Sequence, residues 1–116
     1  NKLTQSPIME MIKRVVIDAF PVVGRDRPMD IVIVSDMLEN TPRYSHHRDS
    51  ISFEWFKENV VVDAYRVDMK GITIKLIYVL RTKYSKYQNQ EHREFWREYI
   101  RELGGRVVEE ITTVSG

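Results

Sequence analysis

Cysteine is absent from this sequence of 116 residues, which excludes disulfide bonds, thiolate metal sites and a cysteine nucleophile. Long apolar runs are absent too, since no stretch reaches the roughly 18 consecutive apolar residues of a membrane-spanning helix. Residues 1–6 contain no apolar segment of the kind that a secretory signal peptide carries. We therefore expect a chain without covalent cross-links and without a membrane span.

A large charge of one sign is also missing, because 18 basic and 17 acidic residues leave a formal net charge of +1. Proteins that bind nucleic acid mainly by electrostatic attraction usually carry a clear basic excess. Glycine is scarce at five residues, and the sequence contains neither a glycine-rich phosphate loop nor a nucleophile elbow. These absences favour a binding protein over an enzyme.

Apolar residues that recur at helical spacing predict two amphipathic helices. The first runs from Pro7 to Phe20, and we expect Pro21 to end it. The second runs from Glu91 to Leu103, with one apolar stripe and an opposite face that is almost entirely charged. A third helix is predicted from a cap at Ser50 or Ser52 to Tyr65, with Asn59 as the point where it divides into two pieces.

Three strands alternate with these helices. Ile31–Val34 and Ile72–Leu80 are rich in β-branched residues, and the first strand is apolar on both faces, as in a parallel sheet that helices cover on both sides. Val107–Val114 predicts a more polar edge strand. The alternation predicts one α/β, Rossmann-like domain: a mainly parallel three-stranded sheet with flanking helices.

No strand is predicted before Ile31–Val34 in this chain. A strand that is apolar on both faces is nevertheless expected to have neighbouring strands on both sides. An unpaired apolar edge is an aggregation hazard that proteins normally cover. We therefore expect that the chain is half of a larger doubly wound domain, or that it forms a homodimer through the exposed sheet edge.

Ligands of open parallel sheets bind beyond the carboxyl ends of the strands, and two polar loops, 36–49 and 81–90, lie at that edge of the predicted sheet. We expect His46 and His47 to be a solvated pair in the first loop, and His92 to lie on a helix surface. The candidate partner-binding residues of these loops are Glu39, Arg43, His46, His47, Arg81, Lys83 and Tyr84.

The stretch Ile31-Val32-Ile33-Val34-Ser35-Asp36-Met37 resembles the fourth strand of a von Willebrand factor type A (VWA) domain, in which an apolar strand ends in a Thr/Ser-Asp-Gly motif. The later order of strand, helix and strand, with Tyr78-Val79-Leu80-Arg81 and Phe95-Trp96-Arg97-Glu98-Tyr99, is similar to bacterial VWA-like proteins. The resemblance implies that residues 1–116 are the C-terminal half of a VWA-like domain. It also implies a protein-interaction module that binds a partner at the C-terminal edge of the sheet.

The resemblance further implies a divalent metal, Mg²⁺ or Mn²⁺, which the family holds with an Asp-x-Ser-x-Ser loop, a threonine and the aspartate of this motif. Only Asp36, with Ser35 beside it, can be carried over, because the other elements belong to the half that this sequence lacks. Met37 stands where the family has glycine. From the residues alone, Asp36 could instead cap the amides of the loop that follows it.

Two other functions are open at this stage. The stretch from Arg81 to Tyr87 interleaves cations with tyrosines, which suits a phosphate or nucleic-acid binder. Such a binder would use Arg43, Arg48, Arg81, Lys83 and Lys86. The chain could also be part of a metal-dependent hydrolase whose remaining residues lie elsewhere.

Overall fold

The computed structural model describes residues 5–23, 26–60 and 62–114. Its helices are α1 (Ile8–Val23), α2 (Phe53–Asn59) and α3 (Gln90–Glu102). Its strands are β1 (Met29–Ser35), β2 (Ile72–Arg81) and β3 (Arg106–Val114). Short 3₁₀ turns cover Val62–Tyr65 and Thr82–Tyr84. The strands form one parallel sheet in the order β1-β2-β3, which confirms the predicted α/β, Rossmann-like fold.

The helices follow their predicted positions closely. α1 continues through Pro21 to Val23, so the prediction that this proline ends the helix is wrong by three residues. Proline lacks an amide hydrogen and so removes one helical hydrogen bond. The helix can continue past Pro21 because it ends only two residues later, at Val23. α2 ends at Asn59 as predicted, and the Ser52 side chain caps it by accepting a hydrogen bond from the Trp55 amide. None of the helices in the described ranges is long and apolar enough to cross a membrane.

One face of the sheet carries the core. Side chains alternate between faces along a strand, so Ile72, Ile74, Leu76 and Tyr78 of β2 all point the same way, and all four are buried. They belong to a single apolar cluster with residues from every helix. Its other large members include Met9, Ile12, Val16, Tyr44, Phe53, Phe56, Phe95, Trp96, Tyr99 and Ile100.

The opposite face of the sheet is open in the described part of the chain. Val32 and Val34 of β1 are 61% and 65% exposed, and Val108 of β3 is exposed as well. The prediction that helices cover both faces of β1 is therefore wrong for these residues. Right-handed connections between parallel strands put their helices on the same face unless the strand order reverses, and this order does not reverse.

Candidate functional site

The turn after β1 is held by the two residues that sequence analysis proposed as metal ligands. The Ser35 hydroxyl accepts a hydrogen bond from the Met37 amide at 2.9 Å. Asp36 Oδ1 accepts one from the Leu38 amide at 3.1 Å. Met37 itself adopts a left-handed backbone conformation, with φ of 58°. Asp36 therefore caps an amide of the loop that follows it, which is the structural role that the sequence offered as the alternative to metal binding.

The two predicted loops meet through an ion pair between Asp36 and Arg81. The second carboxylate oxygen of Asp36 lies 3.4 Å from Nη1 of Arg81, and the arginine side chain is 41% exposed. The guanidinium of Arg81 also lies over the ring of Tyr84, 5.6 Å from its centroid. The parallel topology brings these residues together, because β1 and β2 end side by side.

Gln88 joins the ends of the two strands, and sequence analysis missed it. Its side-chain oxygen accepts a hydrogen bond from the Arg81 amide at 2.8 Å. Its side-chain nitrogen donates to the carbonyl oxygens of Asp36, at 3.0 Å, and Val79, at 2.8 Å. Gln88 is buried, so these bonds are shielded from water. A single loop glutamine has no pattern in sequence that would reveal this role.

An open cleft of about 440 Å³ lies beside the ion pair. Its lining residues are Gln5, Ser6, Asp36, Leu38, Asn40, His47, Arg81 and Tyr84. The segment before α1 reaches the cleft because Ser6 and Asn40 exchange backbone hydrogen bonds of 2.8 and 3.1 Å. Of the predicted site residues, the cleft unites Asp36, His47, Arg81 and Tyr84. Arg43 and Lys83 are exposed but do not line it.

The described residues around Asp36 do not fit a divalent metal ion. Both carboxylate oxygens already have partners, the Leu38 amide and the Arg81 guanidinium. The Ser35 hydroxyl accepts from the Met37 amide. Within the described ranges, no group of three histidine, aspartate or glutamate side chains could surround an ion. A cation bound at Asp36 would lie next to the positively charged Arg81 side chain, which repels it.

His46 and His92 are buried, so the predictions of a solvated histidine pair and of a surface His92 are wrong. The Tyr78 hydroxyl lies 2.6 Å from Nδ1 of His92, and Nε2 of His92 lies 2.8 Å from the Met37 carbonyl oxygen. Trp96 Nε1 donates to the same carbonyl at 2.7 Å. Strand β2, helix α3 and the turn after β1 are thus joined inside the core.

These contacts fix the protonation of both rings. A carbonyl can only accept, so Nε2 of His92 carries the proton and Nδ1 accepts from the Tyr78 hydroxyl. Nδ1 of His46 likewise accepts, from the Glu39 amide at 3.0 Å. Burial lowers the pKa of His92 to about 4 and holds the pKa of His46 well below its ordinary value. Both imidazoles are therefore neutral near pH 7.

Glu39 is fully buried, and it stabilises α1 rather than lining the cleft. Its Oε1 atom accepts a hydrogen bond of 3.0 Å from the amide of Met9, in the first turn of that helix. Burial raises the pKa of this carboxyl to about 7, although the backbone bonds to Met9 and Ile8 oppose the rise. Its proposed role in partner binding would require it to leave the core.

The tyrosines of the basic loop are engaged within the protein. The rings of Tyr84 and Tyr87 pack edge-on against His47, with centroids 5.1 and 4.8 Å from its ring. The amino groups of Lys83 and Lys86 each lie 5.0 Å from the centroid of the tyrosine that follows them. These aromatic faces are therefore partly covered by cations of the same loop.

Comparison of the chain with protein-family models, with curated proteins and with solved structures finds no match. The membership of the VWA family that the resemblance implies stays a prediction.

Proposed function

We propose that this chain is a protein-interaction module of VWA-like type that binds a partner protein at the C-terminal edge of its sheet. The observation that carries the proposal is the open cleft where β1 and β2 end, with the Asp36–Arg81 ion pair on its wall. Open parallel sheets bind their ligands at this edge. Gln88 holds both walls in place, so the surface is organised before a partner arrives.

Two features support the VWA-like part of the proposal. Helix α1 precedes β1, and the parallel order β1-β2-β3 agrees with the last three strands of a doubly wound sheet of order 3-2-1-4-5-6. Met37 has a left-handed backbone at the position where the family's motif has glycine, a residue that adopts this conformation without steric cost.

Burial of the histidines supports binding over hydrolysis. General acid–base catalysis needs a titratable group within hydrogen-bond reach of the substrate. His46 and His92 have such groups, but both rings are enclosed in the core and bonded to backbone or tyrosine partners. Of the three histidines in the sequence, only His47 lines the cleft.

Site-specific photo-crosslinking tests the proposal. A benzoylphenylalanine at Lys83, on the exposed rim, should give a discrete cross-linked protein in an extract of the source cells. The matched control replaces Lys70, an exposed lysine in the turn that leads into β2 at the opposite edge of the sheet. The partner found through Lys83 is then purified, and Asp36→Ala should weaken its binding. Equal cross-linking from both positions would contradict the proposal.

The outer edge of β1 is a second surface for which we propose a partner, either a second copy of this chain or the N-terminal half of a VWA-like domain. Within the described residues, β1 pairs with β2 alone. A groove of about 520 Å³ runs between this edge and α1. Its apolar walls include Met11 and Val15 of α1 and Val32 and Val34 of β1, all of which are exposed. Exposed apolar surface of this kind commonly marks an interaction site.

A further inference from the structure

We infer that the cleft holds an acidic side chain of its partner through the guanidinium of Arg81, without a metal ion. The inference rests on the proposed function and adds the chemistry of the contact. The VWA resemblance implies a metal ion beside Asp36, whereas the structure has the guanidinium of Arg81 there.

Arg81 is positioned before any partner binds. Asp36 engages one guanidinium nitrogen, the Tyr84 ring lies against the group, and Gln88 fixes the backbone amide of the arginine. A guanidinium has five N–H donors, and one contact to Asp36 leaves others for a ligand in the cleft that Arg81 lines. Because the side chain is already oriented, less rotamer entropy is lost when a ligand binds.

The charge around Arg81 favours an anion. Residues 81–90 contain three cations, Arg81, Lys83 and Lys86, and no aspartate or glutamate. Asp36 is the carboxylate that lines the cleft, and its charge is compensated by Arg81 itself. These two charges cancel within the cleft lining, so the attraction of a carboxylate comes from Lys83 and Lys86 of the same loop, which do not line the cleft. A guanidinium can bind the carboxylate through two parallel hydrogen bonds.

The geometry suits a single side chain of a protein more than a nucleic-acid strand. Binding of single strands needs open aromatic faces on which successive bases stack. Tyr84 and Tyr87 instead contact His47 with their rings, and cations of the same loop lie over them.

Titration of the ¹⁵N-labelled protein with a blocked peptide, acetyl-Gly-Glu-Gly-amide, tests the inference by NMR. The side-chain Nε–H signal of Arg81 and the amides of Leu38 and Tyr84 should shift, equally in EDTA and in Mg²⁺. The glutamine peptide should give at most one fifth of the response. Arg81→Gln should abolish the response, and Arg81→Lys should leave a part of it. Arg14→Gln, an exposed arginine on α1, is the matched control and should behave as the wild type.

Several outcomes would overturn the inference: no shift at millimolar peptide, an equal response to the glutamine peptide, a requirement for Mg²⁺, or stronger binding of inorganic phosphate or of oligothymidine.

Failure of the inference about Arg81 can be separated from failure of the proposed function. If the partner cross-linked through Lys83 binds Arg81→Gln normally, the module stands and the role of Arg81 falls. If the peptide binds but Lys83 finds no partner, the anion site stands and the proposed function falls.

Discussion

Nε2 of His92 lies 2.8 Å from the carbonyl oxygen of Met37, the one non-glycine residue in the described ranges with a left-handed backbone. Trp96 donates a second hydrogen bond to the same oxygen. Helix α3 therefore holds the strained turn on which Asp36 is placed. The cleft at the surface depends on this buried contact, because the turn sets the direction of the Asp36 carboxylate toward Arg81.

Met37 provides a direct test of that strain. Both Met37→Gly and Met37→Ala remove a buried side chain, which should cost about 2–5 kcal/mol of unfolding free energy. Glycine adopts the left-handed conformation freely, so Met37→Gly should be more stable than Met37→Ala by about 1 kcal/mol. Urea denaturation measures the difference. At Leu38, which is also buried but not left-handed, alanine should be the more stable replacement.

His92 should contribute to loss of stability in acid. The folded pKa of about 4 lies below the ordinary value of 6.5, so the unfolded chain takes up the proton first as the pH falls. The free energy of unfolding should therefore drop between about pH 6.5 and 4, by roughly 2–4 kcal/mol from this group. His92→Gln should lose less between pH 7.5 and 4.5 in urea denaturation. An equal loss in His92→Gln and in the wild type would show that His92 does not cause the acid effect.

Glu39 should act with the opposite sign. Its folded pKa of about 7 lies above the ordinary value of 4.5, so the folded state holds a proton that the unfolded chain has released. The stability from this group is complete below about pH 4.5 and is lost as the pH rises to about 7. Glu39→Gln keeps an oxygen for the Met9 amide and removes the titration.

The free energies of unfolding of Glu39→Gln and wild type, compared from pH 5 to 8, test this effect. The variant should gain roughly 2–4 kcal/mol relative to the wild type over that range. Charged and titratable groups that influence Glu39 or respond to it are Glu10, Tyr65, Tyr99 and Tyr44. Glu54→Gln, exposed in the first turn of α2 and not among these groups, is the control. A constant difference between variant and wild type across the range would show that Glu39 does not titrate there.

The outer edge of β1 should determine the oligomeric state. If a second copy covers it, light scattering after size-exclusion chromatography should show a dimer whose population grows with concentration. Val34→Lys places a charge beside the groove and should shift the protein to monomer. Val108→Lys, on the open face of β3, is the matched control. If the wild type is monomeric at every concentration, a second copy does not bind the outer edge of β1, and the proposed partner there is a different polypeptide.

Local patterns in the sequence determined the elements of the fold. α3 was expected at Glu91–Leu103 and occupies Gln90–Glu102, and β2 extends its predicted range by one residue. Spacing of apolar residues and capping groups act over a few positions, so one sequence suffices to find them. The placement of Asp36 and Arg81 at one edge of the sheet also followed from sequence, because parallel strands end at a common edge. That the two side chains form an ion pair came from the structure.

The tertiary structure alone decided which polar residues are buried. His46 and His92 are 46 positions apart in the chain, and their burial follows from packing between a loop and α3. Glu39 is drawn into the core by amides of α1, 30 positions away. The hydrogen bonds of Gln88 to the ends of β1 and β2 likewise depend on which strands are neighbours in the sheet, and so does the exposure of one face of β1. The sequence by itself determined the helices, the strands and their parallel edge. Long-range packing decided three further features: the hydrogen bonds of the buried histidines, the bond of Glu39 to the first turn of α1, and the residues that line the cleft. The physical reason is that burial depends on contacts between residues that are distant in the sequence.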